Sequence, residues 1–464
     1  MSGKILITTK GIKSQLTRLQ FTEKQFFRSI AEFIWNGFDA KATKVELIYE
    51  FNDSFEFNKT ALLKKFVIKD NGYGINHEEL KNKFEPIFES EKLINGVVER
   101  NISTLHGRNG VGRFTFFTFA QVAKWTTIYE KENEKYKYNI QISASNLELF
   151  SGIDEIPEKT DEPAGTIVSF SGFNKSLIDE NLIKDAMMNF LRKEFCWFLE
   201  LKKSKGYKLL INGQEIDYYD ILADEKNFEI KHEASDEIFK VRYIRWTNLL
   251  NDEYSKFYYL DEGNNEVHKE TTNLNKQGDD FHHSLFVSSK FFKDFTFNSK
   301  EKKSKGKSSQ ISLGGKVSSD EVFHYLMDEL YNFLRIKRKP FLKENSNKII
   351  EDFKKEGIIV TKTKNDFESI QNEYLGNVIK EIYITQPKIF SSLNNEQKRT
   401  MVGLLKLVLG TDERERVIEI VEQIAKLDPN EREDLRNLLK VTTMTKIIKT
   451  INLVKGRYET LKLL

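Results

Sequence analysis

The sequence predicts an α+β fold in its first 175 residues, then a second α/β unit and a helical region. Short strand-like stretches stand between amphipathic helices in the first part, without the regular strand–helix alternation of a parallel α/β sheet. Between residues 176 and 345 one long helix precedes several strand-like segments, and beyond 345 almost every segment has a helical pattern. The predicted domains are residues 1–175, 176–345 and 346–464, the last a module for a partner or for dimerisation.

The elements of the first part follow from apolar spacing and from turn residues. Strand-like alternation or apolar runs occupy KILITT (4–9), KVELIYEF (44–51), KKFVIKD (64–70), WTTIYEK (125–131), KYNIQIS (137–143) and GTIVSFSGF (165–173). Helical spacing occupies residues 22–40, with Thr22 as the N-cap, and residues 77–88. A further helix is expected to start in GVGRFTFFTFA (110–120).

Composition limits the class of protein. Of the 464 residues, 31% are charged, and the chain is too long for one ordinary core. The net charge of +3 is close to neutral, so any surface for nucleic acid must be local. The one cysteine, Cys196, excludes a disulfide framework and a cysteine-rich metal site. No apolar run is long enough for a signal peptide or a membrane span, so we expect a cytoplasmic protein that does not enter a membrane.

The helix at 22–40 carries a polar face within apolar surroundings. Glu32, Asn36 and Asp39 are spaced by four and three residues, which places their side chains on one side of the helix. An exposed helix face would explain these residues less well, because apolar residues occupy nearly every other side: Phe33, Ile34, Trp35 and Phe38. The pattern therefore indicates a ligand against this face.

Three glycine motifs follow this helix in the sequence. DNGYG (70–74) ends a predicted strand, GRNGVG (107–112) precedes a predicted helix, and GTIVSF (165–170) opens a strand. Glycines allow close approach of backbone to a ligand, and a glycine loop at a helix N-terminus suits phosphate. Each motif alone is typical of a turn. The second is not a phosphate loop of the GxxxxGK[ST] type, because Arg113 and Phe114 stand where Lys and Ser or Thr are needed.

In this order the four motifs resemble those of the GHKL ATPase superfamily, which includes gyrase, the large heat-shock chaperone, histidine kinases, MutL and the MORC proteins. The resemblance covers residues 20 to 175 and implies a Bergerat fold, with ATP on a sheet face covered by helices. It extends less specifically to about residue 345, where the second unit looks like a transducer domain. Glu32 favours the hydrolysing gyrase–MutL–MORC-like branch, because histidine kinases have Asn at that position. We expect a prokaryotic member of this branch.

The resemblance implies a role for each motif residue. Glu32 looks like the general base that polarises water, Asn36 like the magnesium ligand, and Asp39 would border the ribose-phosphate side. Asp70 would accept the adenine amino group. The remaining binding residues implied are Gly72 and Gly74 on the adenine floor, Thr166 beside the adenine, and the phosphate lid of Gly107, Asn109, Gly110, Val111 and Gly112.

Lysine candidates for the γ-phosphate lie outside these motifs. The gyrase-like branch adds a basic residue from the second domain, and the Lys300–Lys307 stretch, with Lys305 as a candidate, precedes a predicted helix. Lys92 in FESEK is a second candidate. A solvated loop is an equally good explanation for any one of the lysines in Lys300–Lys307.

The resemblance also implies ATP-driven homodimerisation, with KILITT either as an exchanged strand or as a strand of its own domain. We expect closure to gate a process on duplex DNA, such as anti-phage defence, through Lys300–Lys307 and Arg335–Lys339. A helix C-terminus stabilised by its dipole would explain Arg335–Lys339 equally well. A separate effector protein is a further expected partner. The alternative is a chaperone-like or signalling switch that binds a protein through the helical tail, without nucleic acid.

Overall fold

The computed structural model describes residues 5–6, 22–52, 63–81, 112–173, 178–251, 253–276, 278–296, 316–317, 320–359, 366–385, 387–391 and 393–409. The chain divides into two compact units. The first, called the sheet unit, comprises Met1–Glu270 and His283–Ser318, and the second, called the helical unit, comprises Thr271–His282 and Ser319–Leu464. The division into three domains stays a prediction.

A large mixed sheet dominates the sheet unit. Its described strands are β1 (Ile5–Leu6), β2 (Lys44–Phe51), β3 (Leu63–Asp70), β4 (Val122–Lys131), β5 (Glu134–Ser143), β6 (Asn146–Phe150), β7 (Glu158–Lys159), β8 (Gly165–Ser171), β9 (Lys208–Ile211) and β10 (Gln214–Glu215). They run in the order β1-β6-β5-β4-β8-β3-β2-β9-β10, and β7 pairs with β5. β2 and β9 are parallel, whereas the other described pairs of this sheet are antiparallel.

One helix packs on this sheet, and a second helix packs on the first. Helix α1 (Glu23–Asp39) begins at Thr22, whose Oγ1 accepts a hydrogen bond from the Gln25 backbone N–H at 3.1 Å, as the sequence predicts. A π-helical turn (Leu182–Met187) leads into α2 (Met188–Leu201). α1 is buried on two sides, because Phe33 contacts Phe170 of β8 at 5.0 Å between ring centroids and Trp35 contacts Phe195 of α2 at 4.6 Å.

A second sheet completes the sheet unit. Its strands are β11 (Leu222–His232), β12 (Glu237–Trp246), β13 (Lys256–Leu260), β14 (Glu266–Thr271) and β15 (His283–Ser288), in the order β11-β12-β15-β13-β14. The apolar core continues from α2 into this sheet, where Trp197 stacks on Tyr258 at 5.5 Å. β16 (Phe295–Thr296) and β17 (Lys316–Val317) form a separate parallel pair. The mixed sheets with packed helices confirm the α+β prediction.

The helical unit confirms the predicted helical C-terminal region as far as residue 409. Its helices are α3 (Glu321–Lys355), α4 (Asp366–Thr385), α5 (Lys388–Ser391) and α6 (Asn395–Leu409). A separate apolar core, which includes Leu342, Ile379 and Leu405, joins the long helices. In the described segments no helix is long and apolar enough to cross a membrane.

The explanation of Arg335–Lys339 as a helix C-terminus is wrong. α3 continues through Pro340 to Lys355. Proline has no N–H to donate to the Ile336 carbonyl, but this carbonyl can bond to water instead, because Ile336 and Pro340 are both exposed. These basic residues therefore lie in the middle of a helix. Within the helical unit Arg338 donates its Nε–H to Asp279 Oδ2 at 2.7 Å, so this arginine is already paired.

Three further predictions differ from the structure or fall partly outside it. The helix expected at 110–120 is a 3-10 helix over Gly112–Thr118, anchored by the buried Phe116. Of the helix expected at 77–88, the described part is one 3-10 turn, His77–Glu79. Of KILITT, the described strand Ile5–Leu6 pairs with β6 of its own sheet.

Candidate functional site

Three polar side chains line up across neighbouring strands of the large sheet. Asp70 is the partner of Thr166 in the β3–β8 pair, and Thr166 is the partner of Thr127 in the β8–β4 pair. Cross-strand partners point to the same face of a sheet, so these three side chains share one face. Thr127 is fully buried and Thr166 almost so. Buried polar groups normally have hydrogen-bond partners, so a row of polar side chains at this depth indicates a binding site.

Asp70 is a partly buried carboxylate with one oxygen occupied. Its Oδ1 accepts the Gly72 N–H at 2.8 Å and the Thr166 N–H at 3.3 Å. Burial raises the pKa of Asp70 to about 6, although these two hydrogen bonds act to lower it. Within the described residues no group hydrogen bonds to Oδ2. This oxygen therefore remains an acceptor for a ligand N–H group.

Thr127 connects this row to the loop that follows β3. Its Oγ1 accepts the Ile75 N–H at 2.8 Å and lies 3.1 Å from Thr166 Oγ1. The carbonyl of Ile75 in turn accepts the Tyr138 hydroxyl at 3.0 Å. Side chains from β4 and β5 thus fix the position of Ile75 at the end of this loop.

The glycines of DNGYG are required by close backbone contacts. A Cβ on Gly72 would lie 2.5 Å from the Ala40 carbonyl oxygen. Gly74 has a φ of +72°, and a Cβ there would lie 2.1 Å from the Ile128 carbonyl oxygen. The Tyr73 N–H donates to the Ala40 carbonyl at 3.1 Å. The motif therefore packs tightly between the end of α1 and β4.

A glycine inside α1 brings the polar helix face to this strand end. A Cβ on Gly37 would lie 3.0 Å from Asp70 Cβ and 2.9 Å from Val45 Cγ2. On the same helix Glu32 and Asp39 are half-buried, whereas Asn36 is exposed and makes no side-chain hydrogen bond to the described residues. The amide oxygen of Asn36 is available to a cation, and Mg²⁺ prefers such oxygen ligands together with water and phosphate.

The side of α1 that faces α2 is held by Trp35. Its indole Nε1–H donates to Glu194 Oε1 at 3.2 Å, and Glu194 Oε2 accepts the Asn251 side-chain N–H at 2.8 Å. The ring also packs on Phe198 at 5.0 Å. These contacts fix the rotation of α1 about its axis and, with it, the direction of the polar face.

The structure brings together part of the predicted site. Asp70, Gly72 and Thr166 are in direct contact, and Gly37 brings α1 against Asp70. Gly112 is described only as the start of a 3-10 helix. The other predicted binding residues lie outside the described residues: Lys92, Gly107, Asn109, Gly110, Val111 and Lys305. The sequence prediction missed Thr127 and Gly37, although a glycine within an apolar helix was a visible signal for close packing.

Comparison with known proteins finds a family model that matches part of the sheet unit. Residues 24–165 match the family described as histidine kinase-, DNA gyrase B-, and HSP90-like ATPase. The match includes Glu32, Asn36, Asp39 and Asp70 and ends one residue before Thr166. No curated protein matched the sequence.

Among solved structures, the chain is similar to the ATPase region of Saccharomyces cerevisiae topoisomerase II, at 14% sequence identity and a TM-score of 0.34. That match covers 57% of this chain and 72% of the other. A second similar structure is the ATPase and transducer domains of DNA topoisomerase II from Balamuthia mandrillaris. It has 12% identity and a TM-score of 0.33, with 57% of this chain and 72% of the other covered.

Proposed function

Because residues 24–165 match the family of histidine kinase-, DNA gyrase B- and HSP90-like ATPases, we propose that the protein binds ATP with Mg²⁺ and hydrolyses it to ADP and phosphate. The observation that carries this proposal is the Asp70 carboxylate, which is oriented by two backbone N–H groups and has its second oxygen open. In the proposal Oδ2 accepts the adenine amino group. Gly72, Gly74 and Thr166 form the surrounding surface.

The polar face of α1 would carry the chemistry. Asn36 would hold Mg²⁺ through its amide oxygen, and the ion would supply charge neutralisation at the phosphates. Glu32, one helical turn earlier, would orient and deprotonate the attacking water. Asp39, one turn later, would border the ribose-phosphate side. Packing of Trp35 and Gly37 supports these roles, because it fixes where the helix face points.

Closure of the site would complete it. Gly107, Asn109, Gly110, Val111 and Gly112 would cover the phosphates with backbone N–H groups. Lys305, or Lys92, would reach the γ-phosphate. We propose that this closure accompanies homodimerisation, in a cytoplasmic protein of the prokaryotic gyrase–MutL–MORC-like branch.

The process gated by ATP is proposed to act on duplex DNA, as in anti-phage defence, with a separate effector protein as a further partner. Lysines in Lys300–Lys307 supply a local positive charge, and Arg335 and Lys339 are exposed on α3. Arg338 is excluded from this surface by its ion pair with Asp279.

A protein-binding switch without nucleic acid is the second candidate. The observation in its favour is the exposure of large apolar side chains on the helical unit, namely Ile370, Leu404 and Leu407. A salt-insensitive protein partner would support this candidate over the DNA-gated one.

The test is Mg²⁺-dependent ATP hydrolysis by the full chain, by Glu32→Ala and by Glu23→Ala, with and without duplex DNA. Glu23 is exposed in the first turn of the same helix and serves as the matched control. We expect Glu32→Ala to bind ATP but to hydrolyse it about 10²- to 10⁴-fold more slowly, because a general base is lost. Glu23→Ala should hydrolyse ATP at the wild-type rate.

Mass measurement with a non-hydrolysable ATP analogue tests dimerisation, and stimulation by DNA tests the proposed process. Hydrolysis by Glu32→Ala at the wild-type rate would refute the assigned base. If the wild-type protein did not bind ATP, the proposed function would be wrong.

A further inference from the structure

The hydroxyl of Thr127 has a restricted set of partners. Thr127 is completely buried on β4, where its Oγ1 accepts the Ile75 N–H at 2.8 Å. Among the described residues its only other hydrogen-bond partner is Thr166 Oγ1, at 3.1 Å. In the first contact the donor is the Ile75 N–H. In the second, the distance alone allows either threonine hydroxyl to be the donor.

Counting protons decides the direction of the second contact. A hydroxyl has one proton and two acceptor lone pairs. If Thr166 donated to Thr127, the Thr127 proton would be buried without an acceptor, which is strongly disfavoured. Thr127 must therefore donate to Thr166, and the hydrogen bonds run from Ile75 N–H to Thr127 and from Thr127 to Thr166.

This direction determines what Thr166 presents to the site. Its Oγ1 accepts from Thr127, and its own proton has no acceptor among the residues that the structure describes. Its cross-strand neighbour Asp70 presents the opposite property, since Oδ1 is occupied by two N–H donors and Oδ2 remains an acceptor. The two strands thus place a hydrogen-bond donor beside an acceptor.

We propose that Thr127 is a positioning residue that orients the Thr166 hydroxyl as a donor, so that Thr166 and Asp70 together select adenine. The proposal rests on the ATP-binding function proposed above. Adenine carries an amino group flanked by two ring nitrogens, N1 and N7, which are acceptors. The amino group pairs with Asp70 Oδ2, and one of these nitrogens accepts from Thr166, directly or through a water molecule. Guanine has a carbonyl oxygen in place of the amino group and would set an acceptor against Oδ2.

The test compares the dissociation constants of ATP, 1-deaza-ATP, 7-deaza-ATP and GTP for the full chain, measured with Mg²⁺. Each deaza analogue replaces one ring nitrogen by C–H and so removes one acceptor. We expect GTP to bind more weakly than ATP, and one of the two analogues to bind about threefold to tenfold more weakly, the usual effect of one lost hydrogen bond. If the Thr166 hydroxyl donated to Thr127 and presented only a lone pair to the base, neither analogue would differ from ATP.

Three variants then isolate the part played by Thr127. Thr127→Val removes the hydroxyl with little change in shape and should bring the ratio between the sensitive analogue and ATP close to one. Thr127→Ser keeps the hydroxyl and should retain the wild-type ratio. Thr126→Val is the matched control, since the neighbouring Thr126 hydroxyl donates instead to Asn139 Oδ1 at 2.8 Å.

The outcomes separate this inference from the proposed function. If the wild-type protein binds ATP and both analogues equally, the direction assigned to Thr166 is wrong, whereas the ATPase proposal stands. A wild-type ratio in Thr127→Val would remove Thr127 from the selection of adenine. If Thr127→Val does not fold, the wild-type analogue ratio still decides the direction of the Thr166 hydroxyl. Failure of the wild-type protein to bind ATP would overturn both proposals.

Discussion

Replacing Asp70 by Asn is expected to stabilise the protein at neutral pH while it abolishes ATP binding. The pKa of Asp70 is about 6 in the folded protein, compared with 3.8 for an unburied aspartate. A group whose folded pKa is raised destabilises the native state as it ionises, so stability is lost as the pH rises from about 4 to about 6. The raised pKa of Asp70 lowers the free energy of unfolding by about 3 kcal/mol above that pH range, and by about 0.5 kcal/mol at pH 4.

Asparagine removes this cost because it is neutral at every pH. Its Oδ1 can still accept the N–H groups of Gly72 and Thr166, so the local structure is retained. Its second group is an N–H donor, which would face the adenine amino group and prevent binding. We therefore expect the free energy of unfolding of Asp70→Asn to exceed that of wild type by about 3 kcal/mol at pH 8. At pH 4 the two values should be nearly equal.

Urea unfolding followed by tryptophan fluorescence is a suitable assay. All four tryptophans of the chain, Trp35, Trp125, Trp197 and Trp246, are buried in the sheet unit, so the signal reports on the unit that contains Asp70. Asp161→Asn is the control, because Asp161 is an exposed aspartate of the same unit. A stability difference for Asp70→Asn that is the same at pH 4 and pH 8, or of opposite sign, would refute the reasoning.

Two further substitutions test the packing described here. Gly37→Ala places a methyl group 2.9 Å from Val45 Cγ2 and 3.0 Å from Asp70 Cβ. We expect this variant to lose about 1–3 kcal/mol of stability, measured by urea unfolding, and to bind ATP more weakly. Unchanged ATP binding would mean that α1 and Asp70 need not be in close contact. Arg338→Met leaves the buried Asp279 carboxylate without its ion-pair partner. We expect this variant to destabilise the helical unit by about 3–5 kcal/mol, measured as the thermal loss of helical circular dichroism. Wild-type stability would show that this ion pair is dispensable.

The local elements could be predicted from the sequence because they depend on residues close together in the chain. The pattern of α1 and its N-cap at Thr22 lie within one segment, and β2 is predicted with its observed bounds, Lys44–Phe51. The end of α3 could not be predicted in this way. Pro340 normally stops a helix, and its tolerance here depends on solvent exposure, which only the packing of the helical unit determines.

The site was predictable only where its residues stand in a motif. Asp70 and the glycines that follow it form one contiguous signal. Thr127 has no such signal, since WTTIYEK contains two threonines and nothing in this stretch indicates which one meets Thr166. Strand pairing decides it: the β4–β8 register places Thr127 opposite Thr166 and Thr126 opposite Ile167. Cross-strand neighbours that are distant in sequence therefore require the structure.

Departures from ordinary local preferences are concentrated at one end of β3. Gly37 lies within the helix α1, where glycine costs about 0.5–1 kcal/mol relative to alanine. Asp70 is a carboxylate whose burial raises its pKa, and Gly74 has a positive φ against the Ile128 carbonyl. An apolar side chain at residue 70 would serve a purely structural sheet better, because it has no charge to desolvate. A ligand that donates to Asp70 Oδ2 would offset the cost of ionisation, since a hydrogen bond to the charged form lowers the pKa. The same desolvation that weakens the protein alone would thus strengthen its binding to such a ligand.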